Sequence, residues 1–565
     1  MEKRETVLID GICVPIEGEK NLLDLIRKAG IELPTFCYYS ELSVYGACRM
    51  CMVENKWGGI EAACSTPPKD GMEIYTNTER LRKHRKMILE LLLSNHCRDC
   101  TTCAKNGNCK LQDLAMRFGI DRVRFPNAKA EPRPDTSSVS ITLDRNKCIL
   151  CGDCVRMCNE VQNVGAIDFA HRGSRMTIST AFDEPIGSSS CVGCGQCAAV
   201  CPTGAITVKN DANSVWKLLS DPGAKVVAQI APAVRVAVAK SFGMDADVNA
   251  MGRIIAAMRR LGFDEIFDTA TGADLTVLEE SNELLNKLEE PDAKLPLFTS
   301  CCPAWVRYCE KNHPELMSRV SSCKSPMQMF SSVIKAQYAR SSRRVVTVAV
   351  MPCTAKKFEA VRDEFTRDGV ADTDYVLTTQ ELIAMIQEAG IVFRELEPEA
   401  VDSTFSTATG AGVIFGVTGG VTEAVLRRIA TDKSARALGG ILFQNVRGME
   451  GIKETVVPYG DRTLRIAIVS GLKNAERLIA RIQDGEQYDF VEVMACPGGC
   501  VSGGGQPFGT TQVKQQRGRA LYAADKLISI KRSEENPLMM NLYNGVLKGR
   551  AHELLHVRYH MPEEE

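Results

Sequence analysis

Two runs of cysteine, Cys148, Cys151, Cys154, Cys158 and then Cys191, Cys194, Cys197, Cys201, repeat one spacing, C-x2-C-x2-C-x3-C, 43 residues apart. That spacing presents thiolates to two [4Fe-4S] cubanes, with the fourth cysteine of each run crossing to the other run's cluster. The expected ligand sets are Cys148, Cys151, Cys154 with Cys201, and Cys191, Cys194, Cys197 with Cys158. Pro202 closes the second run, whereas Asn159 follows the first and leaves its spacing intact. A chain of this kind must fold around inorganic centres as well as around apolar side chains.

Seventeen of the 24 cysteines among 565 residues precede residue 202. Roughly 4% cysteine is sparse beside the 8 to 10% or more of disulfide scaffolds. The charged start Met1-Glu2-Lys3-Arg4-Glu5 leads into no apolar signal segment. The most apolar long stretch, 226–239, is broken by Gln229, Pro232 and Arg235, so no membrane span is expected. Thiols in the cytoplasm stay reduced, and clustered ones there read as metal ligands. The formal net charge of -1 supplies no basic footprint for nucleic acid or membrane.

Two further groups precede the repeat. Cys37, Cys48, Cys51 and Cys64 are spaced C-x10-C-x2-C-x12-C, a close pair with outlying members that suits a [2Fe-2S] rhombus; the first gap is wider than in the plant-type pattern, and zinc is the competing occupant. His96, Cys100, Cys103 and Cys109 form H-x3-C-x2-C-x5-C, which zinc or a [4Fe-4S] cluster would fit equally by spacing. Cys97 could replace His96. Several one-electron centres in series imply a wire ending at a site that consumes electrons singly.

Residues 5–34 read as a hairpin turning at Asp10-Gly11 and then a helix near Asn21 to Lys28. Residues 79–94 read as a helix whose charge run, Arg80 to Lys86, would face solvent or a docking protein. Pro126 to Ser138 reads as a linker. Beyond about residue 210, strands such as 225–230, 345–350 and 465–469 alternate with amphipathic helices, an α/β pattern. Three loops there carry the remaining informative cysteines: Thr299-Ser300-Cys301-Cys302-Pro303-Ala304-Trp305, Met351-Pro352-Cys353-Thr354-Ala355-Lys356-Lys357, and Met494-Ala495-Cys496-Pro497-Gly498-Gly499-Cys500 with the glycine-rich run to Pro507. Two follow apolar strands, where open α/β sheets keep their ligands.

The three loops closely resemble the active-site signatures of [FeFe]-hydrogenases, and the front half resembles the accessory-cluster region of the long members, a likeness spanning about residues 5 to 560. The resemblance implies a multidomain α+β and α/β chain: a β-grasp, plant-ferredoxin-like [2Fe-2S] domain (1–78), a module in which one histidine and three cysteines hold a [4Fe-4S] cluster (79–119), a two-cluster bacterial-ferredoxin domain (138–209), and a large α/β catalytic domain (210–565) with a C-terminal small-subunit-like segment. It implies one [2Fe-2S], three accessory [4Fe-4S] clusters and an H-cluster, a cubane joined to a di-iron unit bearing CO, cyanide and an azadithiolate. The implied activity is reversible reduction of protons to H2. Implied partners are maturation proteins and ferredoxin or an NAD(P)H-oxidising flavoprotein subunit; Ala304 and Ala495-Cys496-Pro497 look similar to multisubunit, NAD-linked forms. Sequences of this likeness also include H2 sensors and assembly scaffolds without turnover, and residues 5–209 alone would suit an electron-relay subunit.

By the same resemblance Cys302, Cys353, Cys496 and Cys500 hold the cubane, with Cys500 bridging to the di-iron unit. Cys301 becomes the proton donor, followed by a relay through Glu280, Ser321 and Glu283. Read without the resemblance, Cys301 is equally a small buried hydrophobe, and Glu280 and Glu283 belong to a solvated helix face with Glu279 and Lys287. Lys356, Met351 and Met494 would border the di-iron unit together with Pro232 and Ala233; Ala233 stands where some members have serine, and Met327 and Pro497 at positions that vary. The H-E-x-x-H match at His552 to His556, with His560 as a conceivable third ligand, reads as a docked terminal helix rather than a zinc site. Gly410-x-Gly412 before Gly416 misses the dinucleotide fingerprint. Cys13, Cys309 and Cys323 are left as ordinary thiols, and Cys97 as the one leftover close enough to a cluster to compete for a ligand position.

Overall fold

A computed structural model describes residues 5–127, 132–245, 248–430, 446–449, 451–460 and 462–559. The linker expected at 126–138 and His560 lie partly or wholly outside these residues. The chain divides into two compact units. The smaller comprises 1–161, 165–189 and 200–207; the larger comprises 162–164, 190–199 and 208–565.

In the smaller unit the hairpin forms as the sequence indicates, Thr6–Ile9 against Ile12–Pro15, with Asp10 and Gly11 both at positive φ in the two-residue turn. Asn21 caps the helix Leu22–Lys28 by accepting from Asp24 N. The first strand pairs in parallel with Met72–Tyr75, and Met52–Asn55 and Ile60–Ala62 complete a five-stranded mixed sheet. Val7, Ile9, Leu22, Leu25 and Ile26 lie beneath it in one core with Cys51 and Cys64. The helix Glu79–Ser94 follows, capped by Thr78. Its charge run is not wholly solvated: Arg85 is buried, donating to the carbonyls of Met50, Met52 and Thr76 at 3.2, 2.7 and 2.9 Å. A guanidinium's planar fork of donors satisfies three carbonyls at once, here from two of its nitrogens.

The larger unit holds two four-stranded sheets. One runs Glu265–Asp268, Ala224–Ile230, Arg344–Met351, Tyr375–Thr378, all parallel. The other runs Leu297–Phe298, Phe490–Met494, Arg462–Ser470, Ile452–Tyr459; its last two strands form an antiparallel hairpin and the other pairs are parallel. Strands buried on both faces read as near-continuous apolar runs, as 345–351 does.

The helix Ala270–Glu289 passes through the middle of this unit, buried through its first three turns. Two glycine contacts allow it to do so. A Cβ on Gly272 would collide with the Pro326 carbonyl, and one on Gly412 with the Ala270 carbonyl. The near-fingerprint around Gly410 therefore serves backbone approach, not phosphate. The wholly buried Asp274 ties the same helix to the C-terminal segment, accepting from Thr409 N, Ser533 Oγ and Asn536 Nδ2 at 3.1, 2.7 and 3.1 Å. Burial pushes its carboxyl up to about 6 against those hydrogen bonds. Among the described residues no helix is long and apolar enough to cross a membrane.

Candidate active site and cluster sites

None of the 24 cysteines is in a disulfide. In the smaller unit the four thiols of the first group converge as two facing pairs, Cys37 with Cys48 and Cys51 with Cys64. Cys48 N donates to Cys37 Sγ at 3.3 Å and Phe36 N to Cys48 Sγ at 3.4 Å. Such N–H groups favour thiolate over thiol. Cys100, Cys103 and Cys109 are neighbours. His96 is buried; its Nδ1 accepts from Arg98 N at 3.1 Å, and its Nε2 is buried without a protein partner. An orphaned buried imidazole nitrogen is what a ligand position requires. Cys148, Cys151, Cys154 and Cys201 line one small pocket together with Pro202 and Thr203. Cys201 of the second run thus stands beside three cysteines of the first. Cys158 lies in the smaller unit and accepts from Ala166 N at 3.4 Å; Cys191, Cys194 and Cys197 lie in the segment that folds with the larger unit.

In the larger unit the three signature loops leave the ends of parallel strands. Phe298 ends one, and Cys302 then stands at the N-cap of the helix Pro303–Asn312, with Pro303 at its first position. Arg344–Met351 delivers Cys353, which faces the backbone N–H groups of Ala355 and Lys356. Phe490–Met494 delivers Cys496, and Cys500 follows a turn in which Gly498 and Gly499 take positive φ. Burial raises these thiols, and neighbouring sulfurs add to it: Cys302 at Cys353, Cys302 and Cys353 at Cys500, and all three at Cys496. Cys302 Sγ receives Ala495 N at 3.5 Å, and Cys496 Sγ receives Gln196 Nε2 at 3.1 Å. A tetrad of buried and half-buried cysteines, two of whose sulfurs receive N–H donors, fits a cubane, which would carry the charge that burial penalises.

Beside the tetrad lies a cavity with an almost wholly apolar wall. Its wall contains Cys301, Cys353, Cys500, Met351, Met494, Pro232, Ala233 and Lys356, bringing together every residue the sequence placed around a di-iron unit. Lys356 Nζ donates to Glu359 Oε2 at 2.7 Å and to the Cys301 carbonyl at 3.3 Å. An ammonium has three donors, so one is left for the cavity. An apolar wall with two sulfur anchors and one cation suits a compact anionic metal group. Thr269, Pro326 and Phe415 also line the wall, as does Gly416, which the sequence offered only as part of a failed nucleotide fingerprint; small or apolar residues on other elements carry no motif. The Ala233 carbonyl accepts from Gln506 Nε2 at 2.9 Å, so this position is fixed through its backbone.

Behind Cys301 the helix Ala270–Glu289 presents Glu280, which is fully buried rather than solvated. Neither of its oxygens closes a hydrogen bond of ordinary geometry, yet the Ser300 N–H and the Ser321 hydroxyl lie near enough to draw its pKa down. Burial, followed by the charge of Glu283, prevails and lifts the carboxyl to about 8. Ser321 Oγ donates to Glu283 Oε2 at 2.7 Å, and Ser322 N donates to both Glu283 oxygens at 3.2 and 3.1 Å. Lys287 Nζ lies 3.8 Å from Glu283 at the partly exposed end. Burial also raises the Cys301 thiol, with the charge of Glu280 adding to it.

The remaining candidates are accounted for locally. His556 is bonded to Glu279 Oε2 at 3.0 Å and Ser322 Oγ at 2.9 Å, and His552 stacks on it, so the H-E-x-x-H pair forms part of a docked end. Cys309 donates to the His313 carbonyl, and Cys323 Sγ lies 3.9 Å from Glu283.

Comparisons with known proteins agree with this geometry. Residues 224–504 match the family described as "Iron only hydrogenase large subunit, C-terminal domain", and 511–561 match "Iron hydrogenase small subunit". Residues 2–79, 85–124 and 147–205 match a "2Fe-2S iron-sulfur cluster binding domain", the "NADH-ubiquinone oxidoreductase-G iron-sulfur binding region" and a "4Fe-4S dicluster domain". The chain is 40% identical to the NADP-reducing hydrogenase subunit HndD of Solidesulfovibrio fructosivorans, over 98% of both chains. It is 36% identical to iron hydrogenase 1 of Clostridium pasteurianum, over 98% of this chain and all of the other. A solved [FeFe]-hydrogenase HydA1 of Chlamydomonas reinhardtii aligns with 62% of this chain and 99% of its own at 39% identity and a TM-score of 0.55. With buried cysteines from three strand ends bordering an apolar cavity, and with relatives matched along nearly its whole length, this chain belongs to the iron-only hydrogenase family.

Proposed function

We propose that the chain is the catalytic subunit of a hydrogenase that interconverts H2 with two protons and two electrons. The observation that carries this reading is one cavity in which Cys301, Lys356, Met351 and Met494 meet two sulfurs of the cubane tetrad. Cys302, Cys353, Cys496 and Cys500 would hold the H-cluster cubane, and Cys500, which also lines the cavity, would anchor the di-iron unit. When bound, that group supplies the centre at which protons and electrons combine or H2 is split. Pro232, Ala233, Met351 and Met494 exclude water from it and fix its orientation. The free N–H of Lys356 offers a charged hydrogen bond to an anionic ligand.

Cys301 Sγ holds the proton nearest the site. Glu280, Ser321 and Glu283 carry protons between it and the surface. Glu280, neutral up to about pH 8 by virtue of its burial, retains the proton such a relay needs. The hydroxyl of Ser321 accepts from one side as it donates to Glu283 on the other.

Electrons are supplied through the accessory centres. Cys37 with Cys48, and Cys51 with Cys64, would each hold one iron of a [2Fe-2S] cluster within a β-grasp domain. His96, Cys100, Cys103 and Cys109 would hold one cubane, and Cys148, Cys151, Cys154 and Cys201 another; Cys191, Cys194 and Cys197 contribute to a third. The likeness to a subunit of an NADP-reducing hydrogenase favours a multisubunit enzyme whose nucleotide chemistry is carried by another chain.

Infrared spectra of protein matured and purified without oxygen test the reading. Bands of metal-bound CO and cyanide are expected, with H2 evolution from a low-potential donor; absence of both would overturn it. Iron should approach about 20 per chain, against about 14 for an electron-relay subunit. In Cys301→Ser the bands should persist while turnover falls by about 10² or more; wild-type turnover would remove Cys301 from the proton path.

A further inference from the structure

Gln196 sits inside the second cysteine run, between Cys194 and Cys197, yet its side chain serves a different set of sulfurs. It is buried, and its Nε2 lies 3.1 Å from Cys496 Sγ and 2.9 Å from the Ser502 carbonyl oxygen. Both neighbours are acceptors, so the amide nitrogen rather than the oxygen must face them, and both of its hydrogens are used.

The run is fixed tightly where this happens. Thr354, next to Cys353, donates from Oγ1 to the Gly193 carbonyl at 2.7 Å. A Cβ on Gly504 would stand 2.5 Å from the Cys194 carbonyl, and one on Gly195 would collide with Thr354 Oγ1. Val192 and Cys194 share a core with Cys353 and Ala495. The backbone leading into Gln196 is thereby held against the Cys353 and Cys500 loops, and the amide places an N–H on the sulfur of Cys496.

We infer that Gln196 is a positioning residue that sets the reduction potential of the cluster held by Cys496. The inference rests on the assignment of Cys496 as a ligand of the catalytic cubane. A hydrogen bond to a ligand sulfur stabilises the more negative, reduced state and so raises the potential. The donor here comes from the backbone segment that carries three other cluster ligands. The electron affinity of the catalytic cubane is thereby tied to how the adjacent cysteine run is packed, and Gln196 offers a short bonded route from Cys197 toward Cys496.

Gln196→Met conserves volume without a donor, and Gln196→Leu removes the donor with a stiffer side chain. Potentiometric titration of the matured full chain, followed by infrared and electron paramagnetic resonance spectra, should show the catalytic cubane at a lower midpoint potential in both variants. Their iron content and metal-bound CO bands should equal those of the unsubstituted protein. Unchanged potentials in either variant that retains its iron would overturn the inference. Loss of iron from both variants would also overturn it, because Gln196 would then be required for the fold rather than for the potential. Absence of the cubane signal from the unsubstituted protein would overturn the underlying assignment instead, and the inference with it.

Discussion

The two units gather cysteines by different means. In the smaller unit, most of the candidate ligands lie within a few residues of another on short loops: Cys48 and Cys51 flank one turn, Cys100 and Cys103 another, and Cys148, Cys151 and Cys154 share a third, which Cys201 joins from farther along the chain. In the larger unit the tetrad comes from positions 302, 353, 496 and 500, and parallel strands with buried helices bring those loops together. A cluster site built from local spacing should therefore tolerate changes elsewhere in its unit. One built from sheet topology should respond to packing changes far from any ligand.

Glu280→Gln is expected to produce the largest effect. Turnover should fall by about 10² to 10⁴ while the infrared bands of the H-cluster remain; near-normal turnover would make the buried carboxyl merely structural. Relative to the unsubstituted protein, the same variant should gain stability as pH rises. A carboxyl whose folded pKa lies above its unfolded value costs nothing below about 4.5; its cost grows as pH rises and is complete above about 8. The gap in melting temperature between Glu280→Gln and the unsubstituted protein should widen from pH 6 to pH 9, and a constant gap would count against the raised pKa.

Arg85→Met probes the smaller unit in turn. Three buried carbonyls lose their donor, which should destabilise that unit by about 3 kcal/mol. Hydrogen evolution from an artificial donor should be retained. Loss of the CO bands in this variant would show that the two units do not behave independently.

Gly412→Ala tests topology directly, since the nearest cysteine in sequence, Cys353, is 59 positions away. Its Cβ would press on the Ala270 carbonyl, costing about 1 to 3 kcal/mol and displacing the end of the helix that supplies Ala273 to the cavity wall. Reduced turnover with unchanged iron is expected. Wild-type stability and activity in this variant would mean that the site does not depend on close backbone approach.

How much could be read in advance followed the same division. The hairpin at Asp10-Gly11, the helix Glu79–Ser94 and the strands ending at Ile230 and Met351 carry local signals of turn chemistry, capping or apolar runs, and the structure has them. Glu280 carried none, because a glutamate three residues from another on a helix looks the same whether that face meets solvent or a core. Arg85 was hidden in a basic run for the same reason. Gln196 stood among ligands with nothing to indicate that its amide reaches a sulfur 300 positions away. Phe415 lines the cavity without any pattern that spacing could expose.

Thiolates at fixed short intervals constrain chemistry whatever surrounds them, so the kinds of centre this chain can hold, and the family to which it belongs, were already written in the order of its residues. Folding settled the rest: that Cys301 borders an apolar cavity, that Glu280 is desolvated so that its carboxyl is pushed up, and that Gln196 donates to Cys496. Burial and hydrogen-bond geometry arise only when segments hundreds of residues apart exclude water from one another, and the electrostatics of the site depends on that exclusion.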